Sequence, residues 1–157
     1  MRRGLEDTMS ERNYDALRLE NQLCFPMYAC SREVIKRYTP CLQELGLTYT
    51  QYVTMLVLWE SECVTVKELG RRLYLDSGTL TPLLKKLEAK GFVSRMRSNR
   101  DERNLIISVT EQGMALRDRA LAVHDYMAAQ VDLTGEEAVT LYRLLYKLLD
   151  YAERNPV

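Results

Sequence analysis

No run of apolar residues in this chain approaches the length of a membrane span. The N-terminus, MRRGLEDTMSERNYD, is polar and mixed in charge and lacks the apolar stretch of a secretory signal. These absences set aside membrane-embedded and exported classes and lead to the expectation of a cytoplasmic protein with no membrane partner. The chain has a single histidine, His124, and none of its cysteines (Cys24, Cys30, Cys41 and Cys63) stands in a CxxC pair. That argues against a zinc site, and no metal or cofactor is expected. A reducing compartment would keep the thiols reduced, which leaves core packing or redox chemistry as their roles. No second catalytic constellation accompanies them, so an enzyme, such as a thiol peroxidase built on Cys24, is not expected. Internal repeats, low-complexity stretches and flexible linkers are also missing. The 157 residues are therefore read as one domain, 1–157, with an apolar fraction of 46%, enough to bury a core.

Net charge is absent too, with 22 basic residues against 22 acidic ones. The balance hides an asymmetry. Between Lys67 and Arg103 the basic residues outnumber the acidic ones by five, and the rest of the chain carries the opposite excess. A neutral protein with one basic third has a side suited to a polyanion, although a solvated charged face would carry the same count.

The hydrophobic pattern is mainly helical. A helical segment runs to about Tyr38, where Thr39-Pro40 is expected to end it, and a short turn or helix over 41–45 stops at Gly46. Three capping boxes follow. Thr48 with Gln51 opens a helix through about Glu60, Thr65 with Glu68 one through about Tyr74, and Thr134 with Glu137 one through about Arg154. In each, the Thr side chain accepts from a backbone N–H three residues on, and the Glu or Gln reaches back. Over 77–90, Leu80, Leu83, Leu84 and Leu87 make the stripe of a helix packed on one side. Pro82 belongs near its first turn, and Gly91 ends it. Residues 92–97 and 103–109 are strand-like and joined by the polar turn Ser98-Asn99-Arg100-Asp101-Glu102, which predicts a hairpin. Thr110 then opens a helix to about Gln130. The last helix, with Leu141, Leu144, Leu145, Leu148, Leu149, Tyr142 and Tyr146, is apolar on more than one side. Either the core is thick there or a second subunit covers it, and a dimer is favoured.

The fold class expected is mainly α with a small β-hairpin wing. It is a winged helix-turn-helix over about 62–110, with dimerisation helices at about 14–45 and 111–154. The helices around residues 65–74 and 77–90 form the helix-turn-helix, and the basic hairpin is the wing. The second helix anchors by its leucines and presents Ser77, Gly78, Thr79 and Thr81, then Lys85 and Lys86. Small residues permit close approach to base edges, the helix N-terminus offers N–H donors to a phosphate, and the lysines displace counterions. Arg95, Arg97, Arg100 and Arg103 arm the wing for a minor groove, with Asp101 placed to hold one of them in an ion pair. A helical hairpin followed by a solvated basic turn is the plainer reading of the same residues.

Cys24 lies in NQLCFPMY. Because proline is tolerated only in a first turn, Pro26 puts the helix start near residues 21–24 and Cys24 at the helix N-terminus. The dipole there favours the reactive thiolate, and Tyr28, one turn on, can donate an O–H to it. From local context alone, a small buried hydrophobe is an equal alternative.

The stretches LENQLCFPMYACSRE, LGLTYTQYVTMLVLWE, TVKELGRRLYLDSGTLTPLLKKLEAKG and RMRSNRDERNLIISVTEQG resemble the organic hydroperoxide resistance regulators of the MarR family, over roughly residues 17–117. The resemblance implies an obligate homodimeric repressor on a palindromic operator in double-stranded DNA, with Cys24 as peroxidatic sensor. It implies a thiolate pocket of Tyr28, Tyr38 and Tyr49, the last two from the partner subunit, and a wing motif at Asp101 and Arg103. Pro26 departs from the family pattern, where a plain apolar residue stands. Some members carry a second cysteine in the helix after the wing. This chain has none there and reads as the single-sensor type, with Cys30, Cys41 and Cys63 assigned to packing. Cys24 and Cys30 are separated by about 9 Å of helical rise, too far for a disulfide. The expected ligands are organic hydroperoxides, entering beside Phe25 and Met27, and a low-molecular-weight thiol. Full release of DNA is expected to need thiolation or overoxidation of Cys24. The alternative is a repressor relieved by a non-covalent phenolic or drug-like ligand.

Overall fold

The computed structural model describes residues 14–97 and 105–155. Two short 3-10 turns, Tyr14–Leu17 and Leu19–Asn21, lead into α1 (Cys24–Glu44). Then come α2 (Tyr49–Ser61), β1 (Cys63–Thr65), α3 (Val66–Leu73), α4 (Ser77–Ala89), β2 (Val93–Arg97), β3 (Leu105–Val109), α5 (Glu111–Ala128) and α6 (Gly135–Arg154). The expected class, helical with a small hairpin, is the one observed.

Local chemistry sets most boundaries. Thr48 and Thr134 each form a full capping box, with Gln51 and Glu137 as the reciprocal partners. Thr65 accepts from the Glu68 N–H, but the Glu68 carboxylate turns outward to Arg71, so that box is half made. Asp76 caps α4, accepting from the Thr79 N–H at 2.9 Å. Gly91, at φ +75, turns the chain out of α4. That left-handed backbone suits a residue without Cβ.

Three expectations are corrected. Pro40 does not end α1, which continues to Glu44. The ring removes one helical hydrogen bond, but Leu42 and Leu45 beyond it are buried in the core and hold the last turn in place. Pro82 is the sixth residue of α4, past its first turn. The leucines on either side of it, Leu80, Leu83 and Leu84, are all buried, so packing holds the helix through the proline. The sheet has three strands in the order β1-β3-β2, both pairs antiparallel. Val64 pairs with Ile107 and Arg95 with Ile107 from the other side. A three-residue strand has no periodicity to read in advance.

The core joins Met55 and Leu58 of α2, Leu69 of α3, Leu80, Leu84 and Leu87 of α4, Ile107 of β3 and Val123 of α5. All four leucines of the α4 stripe are buried, leaving the opposite face outward. The wing base is pinned where Thr110 donates to the Gly91 carbonyl at 2.6 Å and the Trp59 indole N–H donates to the Gly113 carbonyl at 2.9 Å. α1 lies along α5, tied by Arg119 to the Glu44 carbonyl at 2.7 Å and Arg37 to the Gln130 carbonyl at 2.5 Å. α6 buries none of its residues, and Leu141, Leu144, Leu145 and Leu148 are exposed, as are Phe25, Val34 and Ile35 of α1. No helix among the described residues is long and apolar enough to cross a membrane.

Candidate functional site

The α3–turn–α4 unit and the β2–β3 hairpin form one face. Ser77, Gly78, Thr79, Thr81, Lys85 and Lys86 of α4 are all exposed, on the side away from the leucines. Lys85, Lys86 and Arg97 are exposed and make no ion pair with any described residue. The first turn of α4 is more occupied than expected. Thr79 Oγ1 donates to Asp76 at 2.8 Å, and Thr81 Oγ1 donates to the Ser77 carbonyl at 2.7 Å. The Thr79 hydroxyl and N–H hold the Asp76 carboxyl below the usual range. That carboxylate already takes the Thr79 N–H, one of the donors expected to receive a phosphate. Both threonine oxygens still have lone pairs free to accept.

Arg95 was expected among the outward wing arginines, with Asp101 as a possible partner for one of them. It is paired instead with Glu88 of α4, at 2.6 Å. Arg100, Asp101 and Arg103 lie outside the described residues. Arg71 and Arg72 of α3 are held by Glu68 and Glu60.

The second cluster divides between two ends of α1. Cys24 is its first residue and is exposed. Leu23 supplies no side-chain cap, but the Phe25 N–H donates to the Gln22 carbonyl at 3.3 Å and Pro26 has no N–H, so this end presents fewer free donors than an ordinary helix start. One turn on, the exposed Tyr28 accepts from Arg32 at 3.2 Å, with the guanidinium 5.5 Å from the ring centre. Its own O–H remains free to donate. Tyr38 and Tyr49 pack edge to face at 5.0 Å, and Tyr38 lies 5.9 Å from Tyr52. They line a largely apolar cleft of about 610 Å³ between α1, α2 and α5 that Trp59, Arg117 and His124 also reach. Burial raises the pKa of Tyr38, Tyr49 and Tyr52, so all three hydroxyls stay protonated donors at neutral pH.

Tyr38 stands fourteen positions after Cys24 on α1, about 21 Å of rise. The cysteine and the tyrosine cleft are thus remote from each other within one chain. Of the remaining thiols, Cys41 is half-buried, whereas Cys30 and Cys63 are exposed within this chain rather than packed in its core. Tyr52, Trp59, Arg117 and His124 were missed as cleft residues. The aromatic spacing Tyr49-Tyr52-Trp59 on one helix was the available signal for the first two. Among the described residues no cluster of His, Cys, Asp and Glu fits a metal ion.

A basic, leucine-anchored recognition helix joined to a wing hairpin of a three-stranded sheet defines a winged-helix DNA-binding transcriptional regulator. Comparison with known proteins narrows this. Residues 36–120 match the family model of the SarA/Rot transcriptional regulators. The chain is 47% identical over 140 residues to the organic hydroperoxide resistance transcriptional regulator of Bacillus subtilis, covering 89% of this chain and 95% of that one. Among solved structures it is similar to AbfR of Staphylococcus epidermidis in its reduced form bound to DNA, with 38% identity and a TM-score of 0.71. That match covers 86% of this chain and 94% of AbfR. AbfR in an overoxidised form, also bound to DNA, matches equally well, with 38% identity, a TM-score of 0.71 and coverage of 86% and 95%. A variant MarR from E. coli complexed with operator DNA matches at 26% identity and TM-score 0.71, over 81% and 93% of the two chains. The chain therefore belongs to the organic hydroperoxide resistance regulators of the MarR family.

Proposed function

We propose that the protein is a homodimeric repressor that binds a palindromic operator and releases it when an organic hydroperoxide oxidises Cys24. In this reading, about 62–110 reads DNA while 14–45 and 111–154 dimerise. Ser77, Gly78, Thr79, Thr81, Lys85, Lys86 and Arg97 contact DNA, joined by Arg100, Asp101 and Arg103 beyond the described residues.

The observation that carries the reading is the separation of parts along α1. An exposed thiol stands at one end and a cleft of protonated tyrosines at the other, about 21 Å apart. A second copy, seated on the exposed apolar faces of α1 and α6, brings the thiol of one subunit to Tyr38 and Tyr49 of the other. The exposed apolar side chains gathered on these two helices are what supports a covering partner. The exposed Cys30 is assigned to the same covered helix.

The thiolate attacks one peroxide oxygen, the O–O bond breaks, and the alkoxide leaves as an alcohol after taking up a proton. Cys24 becomes a sulfenic acid, which a small thiol converts to a mixed disulfide with loss of water. Losing the thiolate weakens charge-assisted tyrosine bonds of roughly 1.5–3 kcal/mol each. A thousandfold loss of affinity needs about 4 kcal/mol of difference between states. A bulky adduct in a packed interface adds roughly 1–3 kcal/mol, so full release is assigned to the mixed disulfide. AbfR has been captured on DNA in an overoxidised form, which favours the mixed disulfide over overoxidation of Cys24 as the releasing state.

The test uses a duplex selected from a random library by the wild-type protein, with binding and intact mass followed together. Cys24→Ser is expected to keep binding and lose the response to cumene hydroperoxide plus thiol. Release of the Cys24→Ser protein by peroxide would remove Cys24 from the mechanism. The size and aromatic lining of the cleft favour one second reading, relief by a phenolic ligand held there. That reading requires Cys24→Ser to release DNA on addition of a phenol such as salicylate.

A further inference from the structure

The recognition helix and the wing are joined by an ion pair. Glu88 stands on the last turn of α4, and Arg95 is the third residue of β2. Arg95 Nε donates to Glu88 Oε2 at 2.7 Å, and a terminal guanidinium nitrogen lies 2.6 Å from the same oxygen. Both side chains are sheltered, with 23% of Arg95 and 37% of Glu88 exposed. The guanidinium holds the Glu88 carboxyl below its usual range. Strand alternation sets the direction. Residues two apart share a face, so Arg95 follows the buried Val93 toward the body of the domain. Below the pair, the Phe92 N–H donates to the Leu87 carbonyl at 3.1 Å, and the Gly91 N–H to the Glu88 carbonyl at 2.8 Å. The backbone closes the corner, and the ion pair adds a side-chain tie beyond it.

We propose that Glu88 and Arg95 are positioning residues for DNA recognition. Their ion pair fixes the angle between α4 and the wing, and neither side chain contacts DNA. Helix and wing must enter neighbouring grooves together, so an error in their angle penalises a cognate site. Binding that rests on backbone charge tolerates the same error.

This assignment and the plain electrostatic one differ in sign. Glu88 is a negative charge on the DNA-facing unit, so removing it strengthens binding to any duplex if only charge counts. If the pair sets an angle, Glu88→Gln weakens cognate binding and spares non-cognate binding. Arg95 separates the cases again, because a cation that neutralises a phosphate adds about 0.9 to the slope of log affinity on log salt, and its removal lowers the slope by that amount.

The experiment compares full-length wild type, Glu88→Gln, Arg95→Gln and the swapped pair Glu88→Arg/Arg95→Glu. The duplex selected by the wild type and a scrambled duplex of equal length are titrated across salt concentrations. The expected result is about a tenfold loss for each single variant on the selected duplex only, a readily measured difference. The salt slope is unchanged, and the swap restores affinity to within about threefold. Retained binding to the scrambled duplex reports that each variant is folded. Tighter or unchanged selected-duplex binding by Glu88→Gln overturns the proposal. So does a reduced salt slope for Arg95→Gln, a failure of the swap to recover affinity, or loss on both duplexes alike.

Discussion

Gly113 is the point at which α5 meets the wing base, and replacing it with alanine sets two effects of opposite sign against each other. Its N–H is bonded by Thr110 Oγ1 at 3.0 Å, and its carbonyl receives the Trp59 indole at 2.9 Å. A Cβ built there lies 2.0 Å from the Phe92 carbonyl oxygen and 2.9 Å from its carbon. Those are backbone atoms, fixed by the Thr110 N–H that donates to the same oxygen at 3.1 Å. Helix propensity alone favours alanine by about 1 kcal/mol. The overlap demands a shift of over an ångström in a packed corner, and overpacking of this kind costs roughly 1–3 kcal/mol or more. The clash is at its severe end, so net destabilisation of about 2 kcal/mol is expected for Gly113→Ala. With a urea dependence of about 2 kcal/mol per molar, the unfolding midpoint falls by about 1 M. Circular dichroism in urea measures it. An unchanged or higher midpoint would refute the close approach at this corner.

Two further predictions concern the DNA-reading face. Asp76→Asn tests the cap of α4 by its pH dependence. The Asp76 carboxyl is held below its usual range by Thr79, so its stabilisation is complete above the ordinary aspartate pKa and fades as pH falls through the lowered folded value. The stability gap between wild type and Asp76→Asn should shrink on acidification, and a gap that widens contradicts the cap. Lys85→Ala, at an exposed position, should weaken selected and scrambled duplexes alike and lower the salt slope by about 0.9 for each phosphate that Lys85 neutralises. An unchanged slope removes Lys85 from the phosphate-binding residues.

What could be read in advance was what local chemistry decides. Thr48, Thr65 and Thr134 announce their helices because a cap and its partner are three residues apart, and the α4 leucines announce a buried stripe. Gly91 marks a turn that its positive φ requires. The continuation of α1 through Pro40 was illegible because distant packing of Leu42 and Leu45 decides it. β1 was missed because Cys63–Thr65 becomes a strand only by pairing with β3. At the candidate site, Cys24 was placed correctly at a helix start from Pro26. The pairing of Arg95 with Glu88 spans a reversal of the chain, so charge counting assigned that arginine to DNA. The cleft shared by Tyr38, Tyr49 and Tyr52 needs three helices to meet, which periodicity along one helix does not report.

Mixed dimers offer the most direct test of a thiol held across subunits. One chain carries Cys24→Ser, and the other carries Tyr38→Phe with Tyr49→Phe. If the tyrosines act across the interface, the mixed dimer contains one complete site, and its single Cys24 reacts with cumene hydroperoxide at the wild-type rate, read by intact mass. Should that thiol react only as slowly as in the Tyr38→Phe/Tyr49→Phe homodimer, thiol and tyrosines belong to the same chain or do not cooperate, and the account of the sensor is wrong.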